Sequence, residues 1–333
     1  MSASVRDSWQ AIVAPYVGAD VRRSVFQLVS TLGLLAASYA AAYWASSRSV
    51  GAAAPLVLLT AGFLVRSFIL MHDCAHGSLF PWRRANDIVG AFTGLLALTP
   101  YDQWRRDHAI HHASSGDLDR RGHGDIATWT VGEYLAKKPR QRLGYRLVRH
   151  PVFLLTGGPV YLTFSQRFRP RSKATGGRQI ASVWRTNVAI VACLALMLAL
   201  GGWKALAVYA LAYYVAGAAG VWLFYVQHQF EDAYWEEHPD WDYESSAMKG
   251  SSHLQLPGIL RWFTGNIGLH HVHHLAPKIP NYRLKRCHDE NPRLQKAPIV
   301  TIPSGFAALR LALWDEDRRR MIRFSQVPKP LSA

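Results

Sequence analysis

Acidic residues and cysteines are scarce in this chain. Its 333 residues include 22 Asp and Glu against 38 Lys and Arg, a formal charge of +16. Three cysteines occur, Cys74, Cys193 and Cys287. An odd number of widely spaced cysteines excludes a disulfide framework. Cys193 lies inside an apolar run and reads as a small core residue. Zinc-finger spacing and RNA-binding signatures are missing, so the basic excess does not point to nucleic acid. Met1 to Arg23 is polar and amphipathic, without the compact apolar core and small-residue cleavage site of a signal peptide. Internal repeats and low-complexity tails are missing too.

What is present is segregated. Half of the residues are apolar, yet the mean hydropathy is −0.02, because apolar runs alternate with stretches dense in Arg, Lys and His. Four runs approach the roughly 20 residues that a spanning helix needs. They are Val25 to Ala45, Gly51 to Met71, Val183 to Gly201 and Ala205 to Val226. The short links Ser46 to Val50 and Gly201 to Lys204 make each pair a helical hairpin. Two hairpins put both termini and the middle segment on one side. That segment, His72 to Ser182, carries Arg105, Arg106, Arg120, Arg121, Lys137, Lys138 and Arg140. The positive-inside rule assigns it to the cytoplasm, and Arg22 and Arg23 agree.

The expected fold is therefore an all-α membrane protein of four transmembrane helices in two hairpins. Residues 1–333 form one domain, with cytoplasmic segments 72–182 and 227–333 making a helical cap. Ile88 to Thr99 and Pro151 to Phe164 are short for spanning and are expected to be interfacial or re-entrant. The part after Pro257 is soluble in character and is expected to pack under the membrane helices. Arg66, inside the second run, is expected to snorkel or to find an internal partner.

Fifteen histidines are present, and their placement is informative. His72 and His76 begin where the second run ends and, four apart, share one helix face. His108, His111 and His112 form a second set, and His270, His273 and His274 repeat its spacing. His228 sits just past the end of the fourth run. All four places map to the cytoplasmic ends of helices. Imidazole nitrogen suits iron, zinc, copper and nickel. One ion cannot take nine ligands, but two ions with four or five each can. Structural zinc prefers closed four-ligand sites, often with thiolate, so a nitrogen-only set sized for two ions points to redox-active iron. His123, His150, His238, His253 and His288 read as ordinary loop or interior residues. His271 is the odd member of its set and is able to stand in for a neighbour.

The pattern HxxxH, HxxHH, HxxHH resembles the membrane fatty acid desaturase superfamily, and the resemblance covers nearly the whole chain. The stretch from Trp262-Phe263-Thr264-Gly265-Asn266 to Ile279-Pro280-Asn281-Tyr282 is similar to bacterial acyl-lipid desaturases of the delta-12, omega-3 and delta-5 type. Asp73, Cys74 and Ala75 separate the first two histidines, where the acyl-CoA delta-9 branch has four residues. The resemblance implies two iron ions that activate O2 and remove two hydrogens from adjacent methylenes of a membrane lipid acyl chain. Electrons would come from an external donor of ferredoxin or cytochrome type, since His238-Pro239-Asp240-Trp241 lacks the glycines of a fused haem domain. The implied location is a bacterial inner membrane.

Asp73, Asp107, Glu231 and Asn266 are candidates to orient the metal-binding rings, against ordinary surface or capping roles. Trp104, Trp222, Tyr225 and Trp262 are candidate walls of an apolar substrate channel, against membrane-interface anchoring. Two other functions stay open. A hydroxylase or ketolase of the same superfamily, acting on an alkane or carotenoid, would share the first hydrogen abstraction. A histidine-rich membrane metal transporter would place its ligands near the bilayer midplane instead.

Overall fold

The computed structural model describes residues 8–122, 124–168 and 176–328. The sequence reading of His123 and of the first seven residues lies outside the described residues. The molecule is mostly helical. Helix α1 is Val21–Ser46, α2 Val50–His76, α3 Arg83–Leu96, α4 Tyr101–Ser114, α5 Pro151–Phe168 and α6 Gly177–His228. Among the short helices that follow are α7 Gly258–Phe263, α8 His270–Leu275 and α9 Asn281–Glu290. Among the described residues, α1, α2 and α6 are long and apolar enough to cross a membrane.

Helix α6 has 52 residues. Unbroken, it would extend about 78 Å, far beyond a bilayer of about 30 Å. It is interrupted at Gly202, whose φ of 66° and ψ of −171° are not helical; a residue with a side chain would be strained there. The break lies beside the α1–α2 turn. Tyr43 Oη donates to Gly201 O at 3.2 Å, Tyr39 Oη donates to Ala205 O at 2.9 Å, and Lys204 Nζ bonds Ser47 Oγ. The start of the first arm returns to the opposite end, where Arg178 pairs with Asp102 at 2.9 Å and Ser182 Oγ accepts from the Asp102 amide at 3.1 Å. The second arm ends there too, at His228. The two arms thus form a hairpin beside that of α1 and α2.

The arms differ in burial. Helix α2 is central, with Val57, Ala61, Phe63 and Leu64 packed against Val208, Ala212 and Ala216 of the second arm of α6. The first arm exposes Val188, Val191, Leu196, Leu198 and Leu200. Such a surface is unfavourable in water and neutral against lipid. Cys193 is exposed on this arm. This corrects the expected core position: apolarity marked a lipid-facing helix, not an interior one. Arg66 has internal partners. It is 5% exposed, Nε donates to Thr31 Oγ1 at 3.2 Å, and the guanidinium stacks over Trp262 at 4.0 Å while bonding its carbonyl.

The all-α expectation needs a second correction. Strands β1 Trp129–Thr130, β4 Leu311–Asp315 and β5 Arg320–Arg323 form one small sheet in the order β1-β4-β5. Strands β2 His253–Gln255 and β3 Ile299–Thr301 pair in parallel. None exceeds 5 residues, too short for an alternating pattern to show. The sheets close the histidine end of the bundle: Leu223 and Val226 of α6 share a core with Val300, Leu311, Trp314 and Met321. Each such side chain contributes roughly 1.5–3 kcal/mol on burial.

Candidate metal centre

The histidine end is built by helix termini. Gly77, in the left-handed conformation at φ 67°, caps α2 immediately after His76. Tyr101 Oη donates to Cys74 O at 2.8 Å and so ties the first turn of α4 to the last turn of α2. The turn before α8 uses two positive-φ residues, Gly265 at 53° and Asn266 at 59°, conformations that Gly and Asn tolerate best.

These termini gather nine histidines into two groups. His72, His76, His108, His112 and His273 form one, and His111, His228, His270 and His274 the other; within each group the available nitrogens all lie within 4.8 Å of one another. Helix periodicity explains the division. At 3.6 residues per turn, i+4 falls about 40° to one side of i and i+3 about 60° to the other. His108 and His112 therefore join one group while His111 joins the other. In α8 the roles exchange: His270 and His274 share a group and His273 crosses over. The i,i+4 pair His72 and His76 stays together. His112 and His274 stack at 4.1 Å where the groups meet.

The nitrogens suit metal ions. His111 Nε2 and His228 Nε2 stand 3.1 Å apart, His228 Nε2 and His270 Nε2 2.9 Å, His108 Nε2 and His112 Nε2 3.1 Å, and His112 Nε2 and His273 Nε2 3.0 Å. Two nitrogens bound about 2.1 Å from one ion at right angles lie about 3 Å apart. His72 Nε2, His76 Nε2 and His274 Nε2 are buried without a hydrogen-bond partner, a costly arrangement unless a ligand fills it. Burial, reinforced by neighbouring imidazoles, holds His108, His112, His270, His273 and His274 well below the usual histidine range. They stay neutral and keep their lone pairs for a metal.

Groups behind the rings fix their orientation. His72 Nδ1 faces Asp73 Oδ1 at 3.4 Å, and Asp73 Oδ2 accepts from Asn281 N and Nδ2, both at 2.8 Å. Asn266 does not reach a histidine; its Nδ2 donates to Asn281 O at 2.9 Å and steadies the turn. Asp107 accepts from Gln103 Nε2 at 3.0 Å. Glu231 lies outside the site, with its side chain 58% exposed and paired to Arg320 at 3.1 Å. The helix ends at His228, and the chain turns outward before Glu231. Two orienting groups were missed. Asp125 bonds His111 Nδ1, and Gly250 O accepts from His228 Nδ1 at 3.1 Å. Asp125 lies in a loop and Gly250 at the C-terminal cap of the helix Tyr243–Lys249, and both meet the rings only in three dimensions, so no spacing announced them.

The aromatic candidates separate. Trp104 stacks on His108 at 4.3 Å and touches Phe68 at 5.3 Å, so it borders the site. Tyr225 is fully buried and donates to Leu311 O. Trp222 stacks on Phe306 at 5.0 Å. Tyr225 thus ties α6 to strand β4, and Trp222 ties it to the short helix Ile302–Ala308. Trp262 is 41% exposed over Arg66. His271 departs from its neighbours: it turns away from the nine and meets His288 at 3.1 Å.

A fatty acid desaturase family model matches residues 49–303, a stretch containing all nine histidines. The chain belongs to the fatty acid desaturase family. It is 41% identical over 317 residues to the "Fatty acid desaturase" of Bacillus subtilis, covering 95% of this chain and 90% of the relative. It is 28% identical over 293 residues to the "sn-1 acyl-lipid omega-3 desaturase (ferredoxin)" of Synechocystis, covering 83% and 77%. A third relative, the "Acyl-lipid omega-3 desaturase (cytochrome b5), endoplasmic reticulum" of Arabidopsis thaliana, is 28% identical, covering 65% of this chain and 58% of that one. This family member is a fatty acyl desaturase and a membrane enzyme, and its histidine groups suit a metal cofactor.

Proposed function

We propose that the nine histidines bind two iron ions, and that the enzyme uses O2 to place a cis double bond in the acyl chain of a membrane lipid. The carrying observation is the pair of adjoining nitrogen-only groups, five histidines and four, with the i+3 member of two boxes crossing between them. Balance requires one O2, two electrons and two protons for each pair of hydrogens removed, with two waters released. When bound, the metal pair supplies the oxidising power for breaking an unactivated C–H bond. Asp125 and the Gly250 carbonyl accept from Nδ1–H of His111 and His228, which leaves Nε2 of each as the donor atom. The buried rings exclude bulk water. Trp104, stacked on His108, shields one flank and offers an apolar surface to a chain.

The relatives' names supply the rest of the reading. Two relatives are named for ferredoxin and for cytochrome b5, and a one-electron carrier of that kind delivers electrons here. The lipid-facing arm of α6 and the pairing of Lys204 with Ser47 support four spans in two hairpins within a single domain. The basic residues of the histidine end, such as Arg105, Arg120 and Arg178, support a reading in which that end and both termini face the cytoplasm across a bacterial inner membrane. Fatty acids of cells expressing the protein, analysed by gas chromatography and mass spectrometry, are expected to gain a cis double bond. His111→Ala removes it. Hydroxylated or keto products in place of the new double bond, or profiles identical for both chains, contradict the reading.

A further inference from the structure

Beside the nine histidines lies a cavity of about 330 Å³, bounded by β2, α7, the 264–269 turn and α9. Its size falls in the range of small-ligand sites, roughly 300–1,000 Å³. His253, Gln255, Arg261, Asn266, Lys285 and His288 line it. Two permanent cations converge on it against one carboxylate, Asp289, which pairs with Lys285. Arg261 makes no ion pair among the described residues, so its planar fork is available for an anion, a geometry suited to phosphate.

The cavity's place in the fold narrows the source of that anion. Arg261 belongs to α7, which exposes Ile259 at 63%, Leu260 at 42% and Trp262 at 41%. The same helix packs on the spanning helix α2: Phe63 meets Phe263 at 5.2 Å and Trp262 at 6.0 Å. An apolar strip beside a span, carrying a free cation on a polar cavity, suits the level where lipid headgroups meet acyl chains. A soluble anion would gain nothing from the strip.

We infer that this cavity receives the phosphate headgroup of a phospholipid whose acyl chains lie along Ile259, Leu260 and Trp262. Arg261 and Lys285 contact the phosphate oxygens, and His253 and His288 line the same cavity as further hydrogen-bonding groups. As the seat of the substrate's headgroup, the assignment rests on the acyl-lipid reading above. It then fixes how far from the metals each carbon of the chain falls.

The test is calorimetric binding of dihexanoyl phosphatidylglycerol to the purified full-length protein in neutral detergent, with inorganic phosphate in a second arm. The lipid is expected to bind, and R261Q to weaken it by about tenfold or more, as for a lost charge-assisted hydrogen bond. R261K recovers part of the affinity, and unchanged metal content in R261Q reports an intact fold. Inorganic phosphate is expected to bind at least about tenfold more weakly than the lipid, because it lacks the apolar part. Equal binding of phosphate and lipid overturns the headgroup assignment in favour of a soluble anion. Equal lipid binding by R261Q and the parent, or no binding at all, overturns the site. Binding needs no turnover, so desaturation without headgroup binding would remove this inference and leave the proposed function standing. Headgroup binding without desaturation would do the reverse.

Discussion

Two clusters of histidines stand side by side in this protein, and they are built differently. In the nine-membered cluster, Nε2 atoms face one another about 3 Å apart and several have no hydrogen-bond partner. In the smaller cluster, His271 and His288 bond each other at 3.1 Å while His253 opens to a polar cavity. Burial lowers the basicity of histidines in both. The difference teaches that neither histidine density nor depressed basicity makes a metal centre. Convergence of unpaired lone pairs does, and it follows from which helix face each residue occupies.

The sharpest way to break this comparison is to delete a ligand from the large cluster and a ring from the small one. His228→Ala is expected to abolish desaturation and to empty the four-histidine group, read by product analysis and metal content. His253→Gln is expected to leave metal content unchanged. Equal metal loss in the two variants would erase the distinction.

Next in size are the orienting carboxylates. Asp125→Asn is expected to lower activity or metal affinity roughly 10- to 100-fold, as for other groups that hold a ligand ring. Glu231→Gln, outside the site, is expected to change activity less than about twofold and stability within about 0.5 kcal/mol.

A smaller effect is expected from acid. Burial, with His288 as the next cause, takes His253 down to about 4, and burial takes His271 down to about 3. Both folded-state values lie below the ordinary 6.5, so the unfolded chain takes up protons first. Stability is then fully present above about pH 6.5 and is lost as pH falls through about 4 for His253 and about 3 for His271. The melting temperature in detergent should drop over that window, with a shallower slope in His253→Gln. A melting temperature that rises on acidification would show the rings charged in the folded protein.

Much of the site was legible because helical spacing and chemistry coincide. His72 and His76, and the two HxxHH sets, declare a shared face from sequence alone, and His228 follows from the end of an apolar run. What was not legible comes from tertiary closure. Asp125 lies in a loop and the Gly250 carbonyl at the end of the helix Tyr243–Lys249, and only the folding of those segments over α4 and α6 brings them to the rings. Glu231 looked close to His228 along the chain, yet the helix end turns it outward to Arg320. Hydropathy located the helices but not their depth, so Cys193 was assigned to a core when its helix faces outward. The five strands among the described residues escaped because they are short, from the two residues of β1 to the five of β4.

The central claim is that the large cluster holds two ions. The most direct measurement is elemental analysis of the purified protein loaded with ferrous iron without oxygen, beside His228→Ala. The account predicts about two iron atoms per chain in the parent and about one in the variant. One iron or fewer in the parent, or the same content in both, contradicts it.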